Sequence, residues 1–249
     1  MASAFLPTLL IAAGFALIHV LGGRLSVLDR TPRSVWLSIA GGVSVAYVFV
    51  HLLPDLAEHQ KTLAQKAGAS GPWGRVEAHS YLIALLGLVT FYGLDRLARG
   101  SAKANEDAGG EGRTSAGVFW IHLSAFAMYN LLIGYLLVHR EDGASSGLII
   151  YAVAMGLHFV VNDQGLRQQH GGTYDAAGRW LLAAAPLAGW ALGMATGISD
   201  LLLSALFAFL GGGIILNVLK EELPEERESR YWAFALGTGL YAALLLMAA

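Results

Sequence analysis

The chain has 249 residues, of which 55% are hydrophobic and only 14% charged, and its mean hydropathy is +0.55. Soluble domains carry roughly 25% charged residues, so this composition excludes a disordered chain, a nucleic-acid binder and an ordinary soluble enzyme. Net charge is −2 and there is no cysteine, which excludes disulfides, thiolate metal sites, iron–sulfur clusters and a cysteine nucleophile.

Charge-free stretches divide the chain into eight segments of about 17 to 26 residues, the length a helix needs to cross roughly 30 Å of hydrocarbon. The first, 1–23, lacks a basic leader and is followed by an arginine-bearing loop, so it reads as a helix of the domain and not as a signal peptide. The second, 34–54, closes on His51-Leu-Leu-Pro-Asp55. The third, 78–94, leads into a polar, glycine-rich stretch over 98–115, expected to be a mobile cytosolic loop. The fourth and fifth, 114–139 and 143–162, contain His122, Tyr129, Asn130, Met155, His158 and Asn162. The sixth and seventh, 180–199 and 201–219, are joined by a tight turn at Asp200, and the eighth is 231–249. No period-2 alternation suggests a barrel. The expected fold is therefore an all-α membrane protein, one transmembrane domain over 1–249 with eight spans.

Lysine and arginine set the orientation. The loops after spans one, three, five and seven hold twelve of them, from Arg24 to Arg230, against four on the other side, Lys61, Lys66, Arg75 and Arg140. Both termini are therefore expected outside a plasma membrane.

Spans two and seven share a pattern. Gly41-Gly42 is followed after eleven residues by Pro54-Asp55, and Gly211-Gly212 after eleven residues by Pro224-Glu225, each proline preceded by leucine. The two spans run in opposite directions. Such inversion is a mark of secondary transporters, whose pathway lies between repeats. Spans one to three are thus expected to repeat, inverted, as six to eight.

Eight spans with both termini outside, a variable cytosolic loop after the third, the His51-to-Asp55 ending and the glycine-rich seventh span with Glu222-Leu-Pro-Glu-Glu226 together resemble the ZIP (Zrt/Irt-like) divalent-metal transporters. The resemblance implies a ZIP-like bundle moving a divalent cation, zinc first, as substrate and not as resident cofactor. It also implies metal ligands on the fourth and fifth spans. The family's His-Asn-x-Pro-Glu-Gly stretch corresponds to Tyr129-Asn130-Leu131-Leu132-Ile133-Gly134, and its His-Glu-x-Pro-[His/Glu] stretch to His158-Phe159-Val160-Val161-Asn162. The bridging carboxylates of the family are replaced, which implies one weakly held ion in a carboxylate-poor site.

Tyr151, Met155, His158 and Asn162 fall on one helical face, as do His122, Phe126 and Tyr129 with Asn130 beside them. Imidazole, thioether and amide suit a borderline or soft ion better than Mg²⁺ or Ca²⁺. Asp163 comes next, either as an exit-side ligand or as a partner of Arg167 four residues on. His51 and Asp55, also four apart, head an outer group with Glu58, His59, Glu77, His79, His139, Glu141 and Asp142 that would collect a cation at the entrance. His170 reads as a loop residue. Two other functions remain open: a metal-binding sensor without flux, and an intramembrane metal-dependent hydrolase using His51, Asp55 and His59. The partners expected are the metal ion and the bilayer and no nucleic acid, and a homodimer is left open.

Overall fold

The computed structural model describes residues 2–24, 35–66, 79–110, 112–139, 145–222 and 230–248. Among them there are eight helices and no strand. α1 is Ala2–Leu21. α2 passes through Val35–Tyr47, a π turn at Val48–Leu52, and Leu53–Lys66. After it come α3 (Ser80–Asp107), α4 (Ala116–Val138), α5 (Ser145–His170), α6 (Arg179–Ala195), α7 (Asp200–Glu222) and α8 (Tyr231–Ala248), with a second π turn, Tyr174–Gly178, leading into α6. Among the described residues five stretches are long and apolar enough to cross a membrane: Val35–Ala64, Ser80–Asp107, Ala116–Val138, Gly147–His170 and Asp200–Lys220; Phe5–Leu21 and Tyr231–Met247 are shorter apolar helices.

The distribution of side chains is that of a membrane-embedded protein. Leu6, Leu10 and Leu17 of α1, Leu82, Leu85 and Val89 of α3, and Leu236, Leu240 and Leu244 of α8 are exposed at helical spacing, while His19, Asn130 and Ser38 are fully buried. Polar groups turned inward beneath an apolar surface are what a lipid solvent selects.

Three helix pairs make the same close approach. A Cβ added to Gly42 of α2 would strike the carbonyl oxygen of Phe234 in α8, and one added to Gly237 would strike that of Ile39. Between α3 and α7, Gly87 meets the carbonyl of Phe209, and Gly212 that of Ala84. Between α4 and α6, Gly134 meets the carbonyl of Pro186, and Gly189 that of Leu131. Each carbonyl lies three residues before the partner's glycine, so the geometry is reciprocal and recurs. Small residues let backbones touch where no hydrophobic force drives helices together.

The structure corrects several sequence expectations. The Leu-Pro-Asp stretch does not end α2. Pro54 lacks an N–H and its ring crowds the carbonyl four residues back, and the helix absorbs this by widening: the Leu53 N–H bonds the Val48 carbonyl, five residues back, and the helix continues to Lys66. The expected loop over 98–115 is helical as far as Asp107, because Ala98, Ala102 and Ala104 are strong helix formers and Arg99 pairs with Asp95 one turn earlier at 3.0 Å. α5 likewise runs past Asn162 to His170 and stops where Gly171 takes φ +56°. The proline motif at Leu223-Pro224-Glu225, with Glu226 and Arg227, lies outside the described residues, as do Arg30, Arg33, Arg75, Glu77, Arg140, Glu141 and Asp142.

Candidate functional site

A cavity of about 150 Å³ opens among α2, α4, α5 and α7, and the π turn of α2 supplies its polar wall. His51 lies on that turn and Asp55 one turn later, with His51 Nε2 3.4 Å from Asp55 Oδ2. Glu58 and His59 continue the same wall, and His139 faces in from the end of α4. His59 Nδ1 is 2.9 Å from Ser204 Oγ of α7, and the Phe207 ring lies 4.4 Å from the imidazole, centroid to centroid. Tyr47 and Tyr151 also line the cavity, their rings 6.4 Å apart, with Leu210, Gly211 and Ile214 of α7 beside them. A π turn rotates the rest of its helix relative to a straight one, which is why such turns recur at functional sites. This one carries His51, and the helix after it adds Asp55, Glu58 and His59 to the same wall. Imidazole nitrogens and carboxylate oxygens in one cavity can attract and hold a divalent cation. Among the described residues, however, no group of three or more His, Asp or Glu side chains is placed to hold a metal ion.

The polar faces of α4 and α5 are joined by side chains. The Tyr129 hydroxyl is 2.8 Å from His158 Nε2, and His122 Nδ1 is 2.9 Å from His170 Nε2. His170 also meets the Thr114 hydroxyl at 2.9 Å and is 1% exposed, so it is a buried member of the bundle and not a loop residue. α1 supplies the next link. His19 Nδ1 lies 3.0 Å from Asp163 Oδ1, and its Nε2 3.0 Å from the Asn130 amide nitrogen. Asp163 further accepts from the Tyr174 hydroxyl and, at 3.1 Å, from Arg167 Nη2, and Arg167 Nε donates to Asp175 at 2.8 Å. Burial and the adjacent Asp163 carboxylate hold the Tyr174 hydroxyl well above the ordinary tyrosine range, so it stays a donor. Beside this group Asp95 of α3 receives Lys220 of α7 at 2.7 Å and Gln169 of α5 at 3.1 Å.

The residues singled out from the sequence thus fall into separate groups. His51 and Asp55 share the cavity. Among the described residues Asn130 and Asp163 are linked through His19, and His158 and His122 each have another side chain as partner. Met155 is packed in the core at 1% exposure, and the Asn162 amide nitrogen has no hydrogen-bond partner among the described residues. His19 was missed by the sequence reading. Its signal was present, since a lone imidazole inside an otherwise uncharged span needs a partner. Comparison of the chain with protein-family models, with curated proteins and with solved structures gave no match.

Proposed function

We propose that this protein is a ZIP-like membrane transporter of a divalent metal cation, zinc or a similar ion, built on an inverted repeat. The reciprocal glycine crossings carry this reading. Exchanging α2 with α7 and α8 with α3 turns the Gly42–Gly237 contact into the Gly212–Gly87 contact, carbonyl for carbonyl. That exchange is the one required if α1–α3 repeat, inverted, as α6–α8. A transport path is expected between such halves, and the cavity of His51 and Asp55 lies there, against α7 at Gly211. The ion enters that cavity hydrated. Tyr151 forms part of its wall, and beyond it His158 with Tyr129 and Met155 serve as the inner, carboxylate-poor station. The Asp163–Arg167–His19 network closes the opposite, basic end, which twelve of sixteen Lys and Arg residues make the cytosolic one. The spans then number eight and both termini lie outside.

Proteoliposomes loaded with a zinc-sensitive dye test this. Zn²⁺ uptake should exceed that of empty vesicles, should drop at least tenfold in His51→Ala, and should weaken on acidification, because protonated imidazole cannot ligate. In the same vesicles a cysteine replacing Ala104 should react only from the side opposite one replacing Ser199. Zinc that binds with no flux would make the protein a metal-binding sensor, and no saturable binding would remove metal from its function.

A further inference from the structure

A second cavity, of about 200 Å³, lies between α3, α4 and α7. The glycine crossings explain its place. Gly87 and Gly212 draw α3 against α7, and Gly134 and Gly189 draw α4 against α6, while among the described residues no glycine crossing joins α3 to α4. A gap is left between those two helices. Thr90 of α3 and Met128 of α4, both exposed, stand at its mouth. Phe91, Tyr129 and Leu210, all buried, form the inner wall. The lining carries two hydroxyls, and both are engaged elsewhere. Thr90 Oγ1 donates to the Leu86 carbonyl of its own helix at 2.8 Å, and the Tyr129 hydroxyl is 2.8 Å from His158 Nε2. The cavity therefore presents carbon, and a water molecule, which needs several polar partners, is not held there. Met128 and Leu210 stand near the middle of α4 and α7, and Thr90 and Leu94 bracket the middle of α3. Half-way along spanning helices the surroundings are hydrocarbon.

We propose that this cavity is a lipid-tail site, taking the end of one acyl chain of a membrane lipid through the gap between Thr90 and Met128. Dry apolar cavities of roughly 150 Å³ bind molecules the size of benzene. The volume thus suits a segment of hydrocarbon chain and is too small for a helix, which is about 10 Å across. The mouth adjoins the apolar surface of α3, where Leu82, Leu85, Leu86 and Val89 are exposed, so a chain packed on that surface has only to turn inward. Its tip meets the ring of Tyr129, whose hydroxyl holds His158, and the side chain of Leu210, which also lines the cavity of His51 and Asp55. A lipid chain in this position bears on both polar sites from the lipid side. The inference requires a bilayer around the bundle and does not depend on whether an ion is carried.

The experiment places the full chain in liposomes containing a phosphatidylcholine with a diazirine near the end of one acyl chain. Light expels N₂ from the diazirine, the carbene inserts into a neighbouring C–H or O–H bond, and mass spectrometry of peptides locates it. In the parent, Tyr129 and Leu210, 1% and 3% exposed, should be labelled along with the exposed Leu85 and Leu240, while Leu123, buried elsewhere on α4, should not. Ala125→Leu and Leu132→Phe each fill the cavity from α4. Each should cut labelling of Tyr129 and Leu210 at least tenfold and leave Leu85 and Leu240 unchanged, with thermal melting to verify the fold. Two independent fillers keep the test decisive if one of them fails to fold. Labelling of Leu85 and Leu240 with none at Tyr129 or Leu210 overturns the site, as does undiminished labelling of that pair in a folded filler variant. Absence of label at all four overturns it together with the membrane placement of the bundle. Zinc flux plays no part in the readout, so a failure of the transport reading leaves this result standing.

Discussion

Asp163→Ala should destabilise the protein by about 3–5 kcal/mol, the cost of stranding buried groups whose charged partner has gone. Asp163 is 1% exposed and is the common acceptor for His19, Arg167 and Tyr174, which come from three different parts of the chain. Alanine leaves the Tyr174 hydroxyl and the His19 Nδ1–H facing apolar surroundings, and leaves Arg167, 14% exposed, with Asp175 alone. Asp163→Asn keeps an acceptor oxygen and should lose clearly less. Thermal unfolding in detergent measures both. A variant that melts like the parent yet fails in zinc uptake would move Asp163 out of the structural lock and into the transport path.

Gly212→Ala should cost about 3 kcal/mol, the upper range for overpacking. The new methyl would overlap the Ala84 carbonyl and crowd the Leu88 amide, which are backbone and cannot rotate away, so α3 and α7 must separate. Gly42→Ala should cost a similar amount through the Phe234 carbonyl, because the crossing is the same. Gly239→Ala on α8, where a Cβ meets nothing within 4 Å, should be neutral or slightly stabilising through helix propensity. Melting temperatures of the three variants compare them directly. Equal tolerance at Gly42, Gly212 and Gly239 would dissolve the crossings and, with them, the argument for a repeat.

The helical architecture was legible because membrane spans announce themselves by length and the absence of charge. What the sequence could not supply was where each helix stops. Asp95, Arg99, Asp163 and Arg167 are charges inside helices, and a rule that breaks helices at charges ends α3 and α5 too early. The pairing of Asp95 with Lys220, 125 residues away, hides the fact that the helix around it tolerates the charge. Pro54 misled in the same way, since the π turn that accommodates it has no sequence signature beyond the proline itself. The glycine pairs of α2 and α7 were visible, but their partners Gly237 and Gly87 were not, because a close approach is a property of two helices. The imidazoles were sorted by span, and the structure sorts them by partner. His158 goes to Tyr129 and His122 to His170, while His51 remains with Asp55 at the cavity, where the i,i+4 spacing had put them.

The most direct test of the account is the location of a bound heavy ion. Cd²⁺ is a soft relative of Zn²⁺ that scatters anomalously, and crystals of the full chain soaked in it should show a peak inside the cavity beside His51 and Asp55, lost in His51→Ala crystals. A peak only at the opposite end, among Asp163, Asp175 and Asp95, or none at saturating Cd²⁺, would contradict a cation path that begins at the π turn of α2.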